Sequence, residues 1–170
     1  MGRRTTAALA AITALLASSA VALAAVVPGK GDHEGHTSQG KCDTGKCRMY
    51  VFVNDAHRIK EFGLEWHTKC NSGKPYSATD IDKDRKGHRI TQSGGKFSGS
   101  AKDDFGLGNG YKGHSTITYG GTFSTPTKGT GTFTAKVKIT KNGNKVDQCN
   151  KTVDWHVPRT PAAAAGRALR

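Results

Sequence analysis

Three carboxylates at alternate positions form the most chemically suggestive motif in this sequence. Asp80, Asp82 and Asp84 have the spacing with which a calcium-binding loop begins, and calcium prefers hard oxygen ligands of this kind. The rest of that loop pattern is missing, because Arg85 stands at the position of its glycine and Thr91 at that of its closing acid. We therefore interpret the motif as part of an exposed, charge-balanced loop.

Histidines offer nitrogen ligands, but their placement defines no metal site. His33, Glu34 and His36 lie in a polar, Gly-rich segment, where no rigid ligand geometry is expected. The other histidines are scattered: His57, His67, His88, His114 and His156. Serine, histidine and aspartate occur in no recognisable catalytic motif. We predict no metal, cofactor or catalytic residue, and the sequence favours a binding protein over an enzyme.

The first 24 residues have the pattern of an export signal. Arg3 and Arg4 precede an uncharged run of small apolar residues from 5 to 25, and Ala22-Leu23-Ala24 fits a signal peptidase site. An uncleaved anchor is the alternative, since the run is long enough to span a membrane. Its alanine-rich composition favours cleavage after Ala24. We predict a secreted, extracellular protein without a membrane span after cleavage.

Export makes the four cysteines candidates for disulfides. An even number of cysteines in a small exported chain indicates disulfide pairing, and three pairings exist for Cys42, Cys47, Cys70 and Cys149. Cys42 and Cys47 enclose only four turn-forming residues, which suits a local bridge. Cys70 and Cys149 would then form a long-range link that contributes about 3–5 kcal/mol. A zinc site is the alternative, disfavoured because no C-x-x-C pair occurs.

The charge balance favours anionic partners. The chain has 26 Lys and Arg residues against 13 Asp and Glu, and removal of residues 1–24 would leave a formal net charge of +11. Such a charge favours cell-wall polymers or acidic polysaccharides, and we expect no specific nucleic acid. It also keeps an exported protein soluble. The pairs Tyr111-Lys112 and Tyr76 with Lys74 place rings beside cations, which suits stacking on a sugar.

The body of the chain has the pattern of a β protein. We predict a flexible segment at 25–40, one β-domain at 41–158 and a flexible tail at 159–170. Within the domain, Asn54 to His57 form a predicted turn and 71–86 a long surface loop. Short strands are expected at 47–54, 58–70, 88–92, 96–100 and 114–123. Many short strands joined by Gly, Asn and Ser turns indicate an antiparallel β-sandwich, immunoglobulin-like or a partly open barrel, with disulfides.

The segment at residues 58–70 has a helix as its alternative. Phe62, Leu64 and Trp66 alternate as in a strand, but Phe62 and Trp66 are also four residues apart, so periodicity alone does not decide. Gly63 in the interior and the preceding turn favour a strand.

The apolar positions of the last hairpin predict which residues of its two strands pair. A three-residue turn at Asn142-Gly143-Asn144 pairs Val137 with Cys149 and places Trp155 opposite Gly131, where the missing side chain leaves room for the indole. A two-residue Asn-Gly turn would break this agreement unless a bulge intervened. We predict the three-residue turn.

The same register predicts a cationic surface. Lys136 and Lys138 face solvent because their neighbours in sequence face the core, and Lys141 and Lys145 flank the turn. These four lysines are the predicted anion-binding residues. Lys151 faces inward in this register, which requires a position near a rim, where a lysine can extend to solvent. Exposed strand lysines also discourage edge-to-edge pairing, so their position alone does not establish binding.

An ordered set of motifs resembles a known group of proteins. The motifs are Thr37-Ser38-Gln39, Gly94 to Ser98, Thr116 to Phe123, Gly131 to Ala135, and Cys149 followed by Val153-Asp154-Trp155. Their order resembles uncharacterised small secreted β-sandwich proteins of Gram-positive bacteria, over roughly residues 37–159. The resemblance implies a disulfide-linked β-sandwich in which Cys149 pairs with Cys70. It implies no activity.

Together these features predict a secreted, monomeric, non-catalytic binding module, associated with the cell envelope through anionic extracellular polymers. A secreted hydrolase is one alternative, and a cleft that gathers His, Asp and Ser would favour it. The other is an exported inhibitor that presents a loop braced by Cys42 and Cys47.

Overall fold

The computed structural model describes residues 26–42, 45–85 and 89–158. The predicted signal segment and the predicted C-terminal tail lie outside these residues. The described residues contain nine strands and no helix. The strands are β1 (Gly31–Cys42), β2 (Gly45–Val53), β3 (Ile59–Lys69), β4 (Pro75–Lys83), β5 (Thr91–Ser93), β6 (Lys96–Gly108), β7 (Tyr111–Thr125), β8 (Lys128–Lys141) and β9 (Asn144–Val157).

All nine strands belong to one antiparallel sheet that curls into a half-barrel. Their order is β4-β3-β2-β1-β9-β8-β7-β6-β5, so β4 and β5 are the edges. Strand β1 lies between β2 and the last strand, β9, and the two ends of the described chain meet in the middle of the sheet. The all-β, antiparallel prediction is confirmed. The two facing sheets of a sandwich are not confirmed, because the strands form one continuous sheet.

Strand β1 occupies most of the segment that the sequence predicts to be flexible. Its inward positions are His33, Gly35 and Thr37, and none of them gives an apolar alternation. A Cβ atom on Gly35 would lie 2.0 Å from the carbonyl oxygen of His156, so only glycine fits where β1 meets β9. The ring of His33 packs edge-on against Phe123, with 5.2 Å between the ring centroids. The polar, Gly-rich composition of this segment therefore does not indicate that it forms a strand with a buried side.

Strand β4 replaces the surface loop that we predicted at residues 71–86. Its half-buried or buried positions are Tyr76, Ala78, Asp80 and Asp82, whereas Ile81 is exposed. Carboxylates facing inward and an isoleucine facing outward invert the pattern by which a strand is normally identified. Inward charges on an edge strand oppose its pairing with another chain.

Strand β3 is confirmed over the helical alternative, and it supplies the centre of the core. Phe62, Leu64 and Trp66 all lie on its buried side. Phe62 stacks on Tyr119 of β7, with 4.1 Å between ring centroids and 3° between planes. Its centroid also lies 5.8 Å from that of Trp155 on β9. The ring of Phe62 therefore reaches across the half-barrel and contacts strands of its other half.

The predicted register of the last hairpin is confirmed along most of its length. Val137 pairs with Cys149, and Gly131 with Trp155. A Cβ atom at Gly131 would lie 2.5 Å from the indole of Trp155, and one at Gly121 on β7 would lie 2.2 Å from it. Two glycines on neighbouring strands therefore form a slot for this tryptophan.

The predicted three-residue turn of that hairpin is wrong. Lys141 pairs with Asn144, which leaves the two-residue turn Asn142-Gly143, and a register shift follows between Ile139 and Thr140. Asn142 and Gly143 have φ angles of 51° and 85°, as expected for a tight hairpin turn with left-handed residues at both central positions. The bulge restores the register that a longer turn was expected to provide.

Both disulfides join the cysteines expected from the sequence. Cys42–Cys47 closes the β1–β2 hairpin. Cys70–Cys149 joins residues 79 positions apart, and it links the end of β3 to β9 across β2 and β1. No described cysteine is free.

We expect Phe62→Ala to lower the free energy of unfolding by about 3–5 kcal/mol, because it removes a fully buried ring and leaves a cavity. Urea unfolding followed by tryptophan fluorescence measures the change. Val146→Ala is the control, because this side chain is 49% exposed, and we expect it to change stability by less than about 0.5 kcal/mol. If Phe62→Ala lowered the free energy of unfolding as little as Val146→Ala does, this would contradict the central role of the Phe62 ring.

Candidate functional site

The four lysines that we predicted to form a cationic surface are all exposed. Strand β8 buries Ala135 and Val137, which turns Lys136 and Lys138 to the outer side of the sheet. Lys141 and Lys145 flank the β8–β9 turn and are also exposed. We call Lys136, Lys138, Lys141 and Lys145 the lysine face.

Most side chains that flank the lysine face are uncharged. Lys136 pairs with Thr116 on β7 and with Asn150 on β9. Lys138 pairs with His114 and Gln148. Neither Lys136 nor Lys138 therefore has a carboxylate directly opposite it on a neighbouring strand.

One carboxylate lies two strands away and is engaged by a histidine. Asp104 on β6 pairs with His114 in the sheet register, and its Oδ1 lies 2.8 Å from Nδ1 of His114. At the other end of the face, Nζ of Lys145 donates to Oε1 of Gln148 at 2.6 Å. Among the described ion pairs, none joins a carboxylate to a lysine of this face.

The ring of Tyr111 contacts a different lysine from the one next to it in sequence. The backbone N–H of Asn142 donates to the carbonyl oxygen of Gly110 at 3.3 Å, which links the β8–β9 turn to the β6–β7 turn. Nζ of Lys141 lies 4.7 Å from the ring centroid of Tyr111. Exposed Lys112 follows Tyr111 directly. Lys112 therefore extends the lysine face onto β7, whereas Tyr111, its neighbour on the strand, alternates to the other side and meets Lys141 at the hairpin end.

The other ring–cation pair does not form a stacking surface. Tyr76 is half-buried and packs against Trp66, with 5.4 Å between ring centroids. Its ring therefore belongs to the core side of β4, whereas Lys74 lies in the preceding turn.

An acidic groove lies on the opposite, concave side, between β4 and β6. It has a volume of about 530 Å³, and its lining includes Asp80 and Asp82 from β4, Asp103 from β6 and Ser115 from β7. Three basic residues, Lys83, Arg85 and Lys102, line the same space. We call Asp80, Asp82, Asp103, Ser115 and the space between them the acidic groove. The sequence does not reveal this groove, because it predicts a loop in place of β4. In addition, β4 and β6 approach each other only in the curled sheet.

Each carboxylate of the Asp80-x-Asp82-x-Asp84 motif has its own protein partner. Asp80 accepts a hydrogen bond from Nε1 of Trp66 at 2.5 Å, and Asp82 accepts one from the hydroxyl of Tyr119 at 2.5 Å. Nζ of Lys60 donates to Asp84 at 2.5 Å. Three carboxylates with three separate donors differ from a calcium loop, in which they converge on one ion.

Burial controls the protonation of this groove. It raises the pKa of Asp80 above its ordinary value, and the negative charge of Asp103 adds to that effect, while the hydrogen bond from Trp66 opposes both. Burial also raises the pKa of Tyr119, and its hydrogen bond to Asp82 raises it further. The hydroxyl of Tyr119 therefore keeps its proton and acts as the donor to Asp82.

The groove gathers aspartates and a serine, but no described histidine lines it. Asp103 and Asp104 point to opposite sides of the sheet, as neighbours on a strand must. The residues in the groove therefore suit proton transfer between carboxyl groups better than nucleophilic attack by an activated serine.

No family model, curated protein or solved structure matches the chain. The resemblance to secreted proteins of Gram-positive bacteria stays a prediction, and so do export and extracellular location. Within residues 26–42, 45–85 and 89–158, no helix has the length and apolar character needed to cross a membrane.

Replacing Asp80 by asparagine tests the electrostatics of the groove. The amide oxygen can still accept from Trp66, but the buried charge is gone. Because the folded-state pKa of Asp80 is raised, the wild-type protein loses stability as pH rises from about 3.9, the unfolded value, through the folded pKa. We expect Asp80→Asn to be the more stable protein at neutral pH, with a difference that shrinks as pH falls.

Urea unfolding of both proteins between pH 3 and pH 8 measures this difference. Asp154→Asn, on the exposed side of β9, controls for the change of net charge. Stability curves of Asp80→Asn and wild type that run parallel over the whole range would contradict the assignment.

Proposed function

We propose that this protein is an extracellular, non-catalytic binding module that attaches to linear anionic polymers of the cell envelope through the lysine face. The exposure of four lysines along β8 and around the β8–β9 turn carries the proposal, and the contact between Lys141 and Tyr111 adds an aromatic ring at the hairpin end. Cations beside an aromatic ring suit a partner that has both negative groups and sugar rings.

The spacing of the lysine face suits a repeating partner. Lys136 and Lys138 lie two residues apart on one strand, which corresponds to about 7 Å. Lys141 and Lys145 continue the charge toward the hairpin turn. A linear polymer with one negative group per repeat could follow β8 and contact several lysines in succession, whereas an isolated small anion would contact only one or two.

Charge also makes the interaction sensitive to salt. Attraction between exposed charges is screened within about 8 Å at physiological ionic strength, and release of counterions from a polyanion adds to the loss of affinity at high salt. The formal net charge of +11 that remains after removal of residues 1–24 provides the general attraction, and the lysine face provides the contact.

Neutralising the lysine face tests this proposal. We expect the variant Lys136→Gln/Lys138→Gln/Lys141→Gln/Lys145→Gln to bind polygalacturonate at least about tenfold more weakly at low salt, because four lysine contacts with the carboxylates of the polymer are lost. Its affinity should also depend less steeply on salt. Titration calorimetry and retention on immobilised polymer at several salt concentrations measure both quantities.

A second set of exposed lysines provides the matched control. Replacing Lys41, Lys46, Lys96 and Lys128 by glutamine removes the same charge from the β1–β2 turn, the start of β6 and the end of β8 farthest from the β8–β9 turn. We expect this control to retain most of the affinity. Equal losses in both variants would show that net charge alone causes binding, and binding of wild type that survives high salt would contradict an electrostatic mechanism.

The acidic groove favours a second candidate function, that of a secreted polysaccharide hydrolase. Asp80 has a raised pKa, as a general acid requires, and Asp103 lines the same groove. Two carboxyl groups on either side of the scissile bond are the usual catalytic pair of glycoside hydrolysis. The groove is also large enough for part of a sugar chain. The remaining alternative, an inhibitor loop, concerns residues 43 and 44, which lie outside the described part of the chain.

Release of reducing ends from wall polysaccharide tests this second function. If the groove is catalytic, Asp80→Asn and Asp103→Asn should each lower the rate about a hundredfold or more, while Asp154→Asn should leave it unchanged. Release of reducing ends that neither groove variant affects would exclude these two residues as the catalytic pair. No release by wild-type protein would favour the binding function.

A further inference from the structure

The Cys42–Cys47 disulfide differs from Cys70–Cys149 in its exposure. Cys47 is fully buried, with 0% of its surface exposed, whereas Cys42 is half-buried. Among the described residues, Cys42 lines a groove of about 500 Å³ and Cys47 does not. Cys70 and Cys149 are both buried. One sulfur of the first disulfide is therefore open to attack from solvent, and its partner is enclosed.

A histidine lies beside this disulfide. One ring nitrogen of His67 and the sulfurs of Cys42 and Cys47 all lie within 4.8 Å of one another. Nε2 of His67 is buried and has no hydrogen-bond partner among the described residues. A buried polar atom without a hydrogen-bond partner is costly. This nitrogen is therefore available to bond to a group that forms only during a reaction.

The backbone of His67 is held in place independently of its ring. The side chain of Gln39 accepts from the His67 N–H at 3.1 Å and donates to the His67 carbonyl oxygen at 2.6 Å. This amide links β1 to β3 near the end of β2. The imidazole is therefore positioned beside the sulfurs by a contact that a change of the ring leaves intact.

The groove in front of Cys42 is rich in positive charge. Its lining includes Lys41 from β1, Lys69 from β3 and Lys151 from β9, together with Tyr76 from β4. No described carboxylate lines it. Cations near a cysteine stabilise its thiolate, and a partly exposed sulfur in such surroundings is typical of a reactive rather than a structural disulfide.

We propose that Cys42, Cys47 and His67 form a thiol–disulfide exchange site that accepts dithiols of other polypeptides. A thiolate of the substrate attacks Sγ of Cys42 through the groove and forms a mixed disulfide. The bond between Cys42 and Cys47 breaks, its electron pair remains on Sγ of Cys47, and the imidazolium of His67 protonates that sulfur.

The second thiol of the substrate completes the exchange. It loses its proton and attacks the substrate sulfur of the mixed disulfide, and Cys42 departs as a thiolate. The substrate dithiol is thereby oxidised by two electrons to a disulfide, and the protein disulfide is reduced to two thiols that take up the two protons. A substrate disulfide reverses the same steps.

Reduction by glutathione tests the selectivity of the site. We expect reduced glutathione to open Cys42–Cys47 about tenfold or more faster than Cys70–Cys149, because only the former offers an accessible sulfur beside a proton donor. Alkylation at timed intervals followed by peptide mapping measures both rates. Equal rates for the two disulfides would indicate unfolding rather than a site and would overturn the proposal.

Single-cysteine variants test the direction of attack. With oxidised glutathione, the Cys47→Ser protein should form a mixed disulfide on Cys42 about tenfold or more faster than the Cys42→Ser protein forms one on Cys47, because only Cys42 lines the groove. Mass spectrometry of the intact proteins measures the adducts. Equal rates would overturn the assignment of Cys42 as the attacked sulfur.

Variants of His67 test its role as the proton donor. After each rate is corrected for the thiolate fraction of glutathione, which itself changes with pH, we expect His67→Ala and His67→Gln to be slower than wild type by about tenfold or more and to lack the remaining pH dependence between pH 5 and pH 8. The other titratable side chains in the groove are Lys41, Lys69, Lys151 and Tyr76. His156→Ala, on the exposed side of β9, should change neither property. Wild-type rates in both His67 variants would exclude the histidine.

Discussion

The contact of Phe62 with the rings of the opposite strands is the constraint on which the half-barrel depends. A single antiparallel sheet has only one face to bury, so it must curl until that face meets itself. Phe62 on β3 reaches Tyr119 on β7, and the hydroxyl of Tyr119 continues to Asp82 on β4. One chain of contacts thus crosses the interior twice and holds β3 and β4 against β7.

This curvature also divides the charges of the protein. The convex side presents the lysine face, where alternate residues of β8 point away from the core. The concave side closes over Asp80 and Asp82, which would be solvated on a flat sheet. A strongly basic chain therefore gathers three aspartates in one groove, where Lys83, Arg85 and Lys102 lie beside them, and the sheet separates this groove from the lysine face.

Much of this arrangement could be predicted where apolar residues alternate. The strand at Phe62, Leu64 and Trp66, the pairing of Gly131 with Trp155 and the exposure of Lys136 all follow from a two-residue period. Prediction failed where inward positions are not apolar. In β1 they are histidine, glycine and threonine, and in β4 they include two aspartates. Such residues are stable inside only because of partners distant in sequence, which local patterns cannot reveal.

The position of β1 beside β9 has a consequence for the order in which the sheet assembles. The hairpins of β2 to β4 and of β6 to β9 can form from neighbours in sequence, but the seam between them needs the first and last strands together. Contacts of such long sequence separation form slowly. We infer that a growing chain stays open at this seam until synthesis reaches its final strand, a delay that would keep it threadable through a narrow pore.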